Sequence, residues 1–130
     1  MPQSIPTKPQ QLISIVIPTL NEEEGIEKTI RSIPQKKLND LGYNLEIIII
    51  DGNSTDLTRE IATRMGARVI LEKRKGYGRA FKTGFSEARG DILVTLDADG
   101  TYPAEIIPEY IQGLTEKELD FITANRFSNI

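Results

Sequence analysis

The chain has 130 residues, a net charge of −3, and neither cysteine nor histidine. That length allows one domain with a real core. The acidic balance argues against nucleic acid as a partner, and the missing cysteine against a disulfide framework. The missing histidine excludes Ser-His-Asp and Cys-His catalysis and histidine-ligated zinc. No apolar stretch approaches the roughly 18 residues of a membrane span, and the N-terminus lacks the apolar core of a signal peptide. A cytoplasmic location is expected, and nothing in the sequence speaks to oligomeric state.

Residues 1–11 mix prolines with polar side chains and read as a mobile leader, leaving residues 12–130 as the domain. Leu12 to Ile17 is a β-branched run ended by Pro18, a first strand. Asn21 and Glu24 have the spacing of a capping box, and Ile26, Ile30 and Ile33 keep helical spacing. A helix is therefore expected from about Glu22 to Ile33, stopping before Pro34, with a polar loop over 35–44. Leu45 to Ile50 is apolar enough for a strand buried on both faces. The turn-rich run Asp51-Gly52-Asn53-Ser54-Thr55-Asp56 follows, in which Asp56 is expected to cap the next helix. That helix carries the stripe Leu57, Ile61, Met65 and ends at Gly66.

Ala67 to Leu71 reads as a third strand, and Glu72 to Arg79 as a basic, glycine-bearing loop. A helix with a small and aromatic face runs from Ala80 to Gly90, and Ile92 to Leu96 is a fourth strand. Pro103 suits a first helical turn, Pro108 predicts a kink or a late start, and Phe121 to Thr123 closes the pattern as a fifth strand. Strand and helix alternate, which predicts an α/β fold in three layers: a mostly parallel sheet with helices on both faces. In such sheets ligands bind beyond the carboxyl ends of the strands, where the polar clusters of this chain fall.

The run Asp97-Ala98-Asp99 follows the fourth strand. On an extended backbone, residues two apart point to one side, so the two carboxylates would face one point and repel unless a cation sat between them. A hard divalent ion takes carboxylate oxygens and keeps substrate phosphates as further ligands. A divalent metal held against a diphosphate is therefore expected at this pair. The alternative is that one Asp caps a helix while the other is solvated.

Several of these runs match a known family in order. Pro18-Thr19-Leu20-Asn21-Glu22, the 51–56 loop, Gly76-Tyr77-Gly78-Arg79-Ala80, Asp97-Ala98-Asp99 with Pro103 and Glu105, and Asn125-Arg126-Phe127 resemble the motifs of family 2 nucleotide-sugar glycosyltransferases. Within that family the nearest likeness is to the polyprenyl-phosphate sugar synthases. The resemblance covers Leu12 to Phe127 and implies a Rossmann-like GT-A fold. Because family domains run longer, it also implies that the chain is the N-terminal, donor-binding part and incomplete at its C-terminus.

The resemblance further implies roles. Pro18, Thr19, Asn21, Glu22, Asp51, Asn53, Gly76, Arg79 and Asp97 would form the nucleotide-sugar site, with Asp51 accepting a hydrogen bond from the base or ribose. Asp99, with Asp97 and Thr101, would hold Mg²⁺ or Mn²⁺, and Asp97, Asp99 and Arg126 would serve catalysis. Arg126 would meet an anionic phosphate, for which a forked guanidinium is suited. Three departures stand out: Gly52 where the family has a second Asp, Leu20 where it has an aromatic residue, and Thr101 where it often has Gln. The implied reaction is inverting transfer from a UDP- or GDP-sugar to an acceptor, either a polyprenyl or dolichyl phosphate or a sugar. A lipid acceptor would bring the chain to the cytoplasmic face of a membrane as a peripheral protein. Two other readings remain. One is a module that binds nucleotide and metal without turnover. The other is a haloacid-dehalogenase-like phosphatase with Asp97 as nucleophile, although that family carries the motif on its first strand.

Overall fold

A computed structural model describes residues 11–99, 103–116 and 121–123. Five strands form one parallel sheet in the order β3-β2-β1-β4-β5: β1 (Gln11–Thr19), β2 (Tyr43–Asp51), β3 (Arg68–Leu71), β4 (Ile92–Thr95) and β5 (Phe121–Thr123). β1 lies in the middle because it is the strand that can be buried on both faces. All seven residues from Ile13 to Thr19 are buried.

Alternation along the strands sorts the core into two layers. Ile13, Ile15 and Ile17 of β1 and Ile47 and Ile49 of β2 face the larger cluster. There they meet Ile26 and Ile30 of α1 (Ile26–Ser32), Leu38 of α2 (Gln35–Asp40), Ala62 of α3 (Thr58–Arg64), and Ile107 and Ile111 of the helix that follows β4. Val16, Ile48 and Ile50 point the other way, onto Ala80, Phe81 and Ala88 in and just after α4 (Tyr77–Glu87). Helices therefore cover both faces, with α4 alone on the second among the described residues. Gly84 permits its close approach, since a Cβ there would collide with Val16 Cγ1.

Three expectations need correction. No capping box forms at Asn21 and Glu24. Asn21 takes a left-handed backbone (φ 54°), and its side chain turns to a neighbouring loop. The first helix accordingly begins at Ile26, after a turn over 23–25, with Gly25 at its N-cap and no side-chain cap. The expected polar loop over 35–44 contains α2, which buries Leu38, and the first residues of β2. A single apolar residue in a short helix leaves no periodicity to read. Pro108 behaves as a late start: a short 3-10 turn over Ala104–Ile106 precedes α5 (Ile107–Glu116), so Pro108 sits in its first turn, where a missing N–H breaks no bond.

Gly90 sits where the chain enters β4. Its N–H donates to Ser14 Oγ (2.8 Å), and a Cβ there would lie 2.7 Å from both Leu12 O and Ser14 N. Because the obstacle is backbone, Gly90→Ala is expected to lower stability by about 1–3 kcal/mol, read as an earlier urea midpoint at unchanged slope.

Candidate functional site

The site is built by strand register. Thr19 pairs with Asp51 across β1 and β2, and Asp51 with Leu71 across β2 and β3, so three strand ends are flush at one edge. Asp51 is unexposed and locks that edge. Its Oδ1 accepts from Thr19 Oγ1 (2.7 Å) and Ser54 Oγ (2.6 Å). Its Oδ2 accepts from the backbone N–H groups of Asn53 (3.0 Å) and Ser54 (2.7 Å) and from Arg59 Nη1 (2.8 Å). Burial pushes its pKa up, but the bonds from Ser54, Thr19 and Arg59 outweigh this and hold it below the ordinary value. With both oxygens taken by the protein, Asp51 lies beneath the cleft rather than in its lining.

The loops after β1 and β2 are zipped together. Asn21 N–H donates to Ser54 Oγ (2.8 Å), while Asn21 Oδ1 accepts from Thr55 N–H (2.8 Å). Glu22 N–H donates to Thr58 Oγ1 (2.8 Å), and Glu23 N–H to Asp56 Oδ2 (3.2 Å). Asp56 Oδ1 also accepts from Thr58 N–H (3.0 Å), although the N-cap of α3 (Thr58–Arg64) is Leu57, with no side-chain cap, and not Asp56 as expected. Asn21 thus serves as a clamp and does not line the cleft.

Asp97 and Asp99 reach the site differently from expectation. β4 ends at Thr95, and Ala98 and Asp99 lie in a turn, so no extended strand sets their directions. The turn is pinned to α1: Thr29 Oγ1 donates to Ala98 O (2.9 Å), and Gly25 stands where a Cβ would lie 3.1 Å from that same oxygen.

A cleft of about 790 Å³ opens at this edge, between the loop after β1 and the loop after β4. Pro18, Thr19, Glu22, Asn53, Gly76, Asp97 and Asp99 line it as expected, whereas Arg79 is exposed outside it. Asn53 holds a left-handed turn (φ 80°), a conformation Asn tolerates better than most residues. Thr101 and Arg126 lie outside the described residues.

The walls of the cleft differ in charge. One carries Glu22, Asp97 and Asp99. Burial and then the charges of Asp99, Asp56 and Asp97 raise the Glu22 pKa above its ordinary value. The other carries Lys73, Arg74 and Lys75, which the sequence presents as a loop without assigning them to the cleft. That loop is anchored by Glu72, a nearly buried acid. Its carboxylate accepts from Arg74 Nη2 (2.7 Å), Arg74 Nε (2.9 Å) and Thr83 Oγ1 (2.6 Å), which hold its pKa far below the ordinary range. Sequence reasoning missed Glu72; its only signal is its place one residue beyond β3.

The donor set on the acidic wall is all oxygen, which suits a hard divalent cation. Among the described residues, no three acidic side chains converge as a ready-made metal site. A cation here would therefore draw part of its shell from water or from a bound phosphate.

An open parallel sheet whose cleft lies between β1 and β4, where the strand order reverses, defines a ligand-binding α/β protein. The chain belongs to glycosyl transferase family 2, whose model matches residues 14–130. It is 37% identical over 114 residues to an uncharacterized glycosyltransferase of Mycobacterium tuberculosis, covering 88% of this chain and 48% of that protein. It is 36% identical over 107 residues to the dolichol-phosphate mannosyltransferase of Pyrococcus furiosus, covering 78% of this chain and 30% of the enzyme. Among solved structures it resembles glucosyl-3-phosphoglycerate synthase of M. tuberculosis in complex with Mn²⁺, uridine diphosphate and glucosyl-3-phosphoglycerate. That likeness has a TM-score of 0.65 and 34% identity, over 81% of this chain and 39% of that one. The chain thus spans about half or less of the length of these relatives. Asp97 follows the fourth strand, whereas the phosphatases that share Asp-x-Asp-Gly-Thr carry the motif on their first.

Replacing Asp51 by Ala should cost about 3 kcal/mol in urea unfolding, because it strands Arg59 and several buried donors. The pH dependence has a definite sign. A depressed folded pKa means that the contribution of Asp51 is complete above its ordinary value of 3.8 and is lost as pH falls through the lower folded value. Asp51→Asn should therefore lose less stability than the wild type on acidification below 3.8, in paired denaturation series.

Proposed function

We propose that this chain is the donor-binding part of an inverting, metal-dependent glycosyltransferase that takes a nucleoside-diphosphate sugar. The observation that carries the proposal is that Glu22, Asp97 and Asp99 all line one cleft at the carboxyl edge of the sheet, near enough for both aspartates to raise the Glu22 pKa, without converging as a ready-made metal site. Asp99, with Asp97 beside it, would hold Mg²⁺ or Mn²⁺, which when bound supplies Lewis-acid stabilisation of the departing diphosphate. Crowding by Asp97 and Asp99 raises the cost of ionising Glu22, and a cation in their midst relieves it.

The protein's own residues do the positioning. Thr19 and Asn53 line the cleft together with the exposed Leu20 and would offer the nucleoside a partly apolar bed. The loop carrying Lys73 and Lys75 brings positive charge to the cleft, and Glu72 anchors that loop through Arg74 and Thr83.

The acceptor we favour is a polyprenyl phosphate. The Asn125-Arg126-Phe127 run and the likeness to a dolichol-phosphate mannosyltransferase support it. A phosphate monoester, with a second pKa of about 6, is already largely ionised at neutral pH and needs no general base. A second reading is a module that binds nucleotide and metal without turnover.

Calorimetry with UDP and GDP, with and without Mn²⁺, tests the central claim. Binding should require the metal, and Asp99→Asn should weaken it by at least about tenfold. Equal binding without metal, or an unaffected variant, would falsify the assignment. Labelled sugar appearing in a polyprenyl phosphate supports the favoured acceptor, label only in a soluble product overturns it, and tight binding with no transfer to either selects the second reading.

A further inference from the structure

The basic loop at the cleft continues into α4, and the two make one positive face. Residues 73–89 carry the cations Lys73, Arg74, Lys75, Arg79, Lys82 and Arg89 and the single acid Glu87. That stretch is +5 and the rest of the chain −8, together the net −3. Arg74 is tied to Glu72 and Glu87 lies 3.7 Å from Arg68, whereas Lys73, Lys75, Arg79, Lys82 and Arg89 form no ion pair among the described residues.

Helical geometry decides where these charges point. α4 buries Gly84 and half-buries Ala80 and Phe81 against Val16, Ile48 and Ile50. The opposite arc is exposed: Gly78, Arg79, Lys82, Phe85 and Ser86, with no acid among them. Phe85 is 37% exposed and stacks on Phe81, their ring centroids 6.0 Å apart. A basic arc beside a partly exposed aromatic side chain on an amphipathic helix has the chemistry that binds the interface of an anionic bilayer.

We propose that the outer face of α4, with the loop before it, is a docking surface for an anionic membrane. Charge complementarity selects this occupant. The −8 remainder of the chain is repelled by acidic headgroups, so the field orients the molecule with α4 toward the bilayer. Docking there also serves the lipid-phosphate reading, on which this inference builds. Gly76 and Ala80, at the start of α4, line the cleft, so the helix that meets the headgroups also borders the site where a lipid phosphate would arrive. With little apolar surface to insert, the attachment is electrostatic, reversible and sensitive to salt.

The test is co-sedimentation of the 130-residue chain with vesicles of phosphatidylglycerol and phosphatidylcholine in equal parts, against pure phosphatidylcholine, at low and high ionic strength. Binding is expected only to the anionic vesicles and only at low salt. Each cation removed from the face should lower partitioning roughly fivefold, so Lys82→Gln with Arg89→Gln should lose on the order of 20-fold. Lys82→Glu should lose more than Lys82→Gln, and Lys36→Gln with Lys37→Gln on α2 should change little. These are exposed side chains, and unchanged thermal melts verify that the variants fold. Absence of binding to anionic vesicles, equal loss in the α2 variant, or stronger retention on duplex DNA overturns the proposal. Calorimetry with UDP and Mn²⁺ on the same samples separates the two ideas. Nucleotide binding without vesicle binding rejects the docking face alone, and the reverse rejects the donor-site reading alone.

Discussion

The Asp51 carboxylate is the joint on which the site depends. It closes the end of β2, accepts from the end of β1 through Thr19, and gathers Ser54, the Asn53 N–H and Arg59 around itself. A carboxylate with no exposure survives only when its oxygens are fully engaged, and here the engagement is what makes two strand ends and a loop move as one body. Without that joint, the clamps from Asn21 to Thr55 and from Glu22 to Thr58 would have no fixed partner loop, and Glu22 would not be held against the wall that carries Asp97 and Asp99.

Opposed charge is the second organising feature. Carboxylates gathered at one cleft are costly unless a cation relieves them, and the same cleft is also lined by Lys73, Arg74 and Lys75. Glu72 anchors that basic loop, pinning Arg74 and reaching α4 through Thr83. The same basic loop leads into a helix whose buried face is small and close-packed and whose outer face is charged. One element thereby connects the ligand site to whatever surface the protein meets.

Much of the fold was legible because buried parallel strands and amphipathic helices write their periods plainly. The runs ending at Ile17, Ile50 and Leu71, and Ile61 of the stripe that follows, fall where strands and helices form, although Leu57 of that stripe is exposed just before α3, and Phe121 to Thr123 pairs with β4 as a fifth strand. The short helix α2 was not legible because it buries one residue, and a single contact has no period. The Asn21 and Glu24 spacing misled because the same residue types that cap helices also favour left-handed turns and loop-to-loop bonds, and spacing cannot tell these uses apart.

For the site, sequence by itself determined the chemistry on offer. Carboxylates follow the first and fourth strands, a basic loop precedes the fourth helix, and no histidine or cysteine is present to compete for a metal. Those are properties of residue type and order along the chain. Only the tertiary structure decided which groups are available to a ligand. Asp51 is spent on the protein and Asn21 on a clamp, whereas Glu22, Lys73 and Lys75 face the cleft. The physical reason is that availability depends on partners brought in from distant segments by strand register. Thr19 and Asp51 stand 32 positions apart in the chain and 2.7 Å apart in the fold.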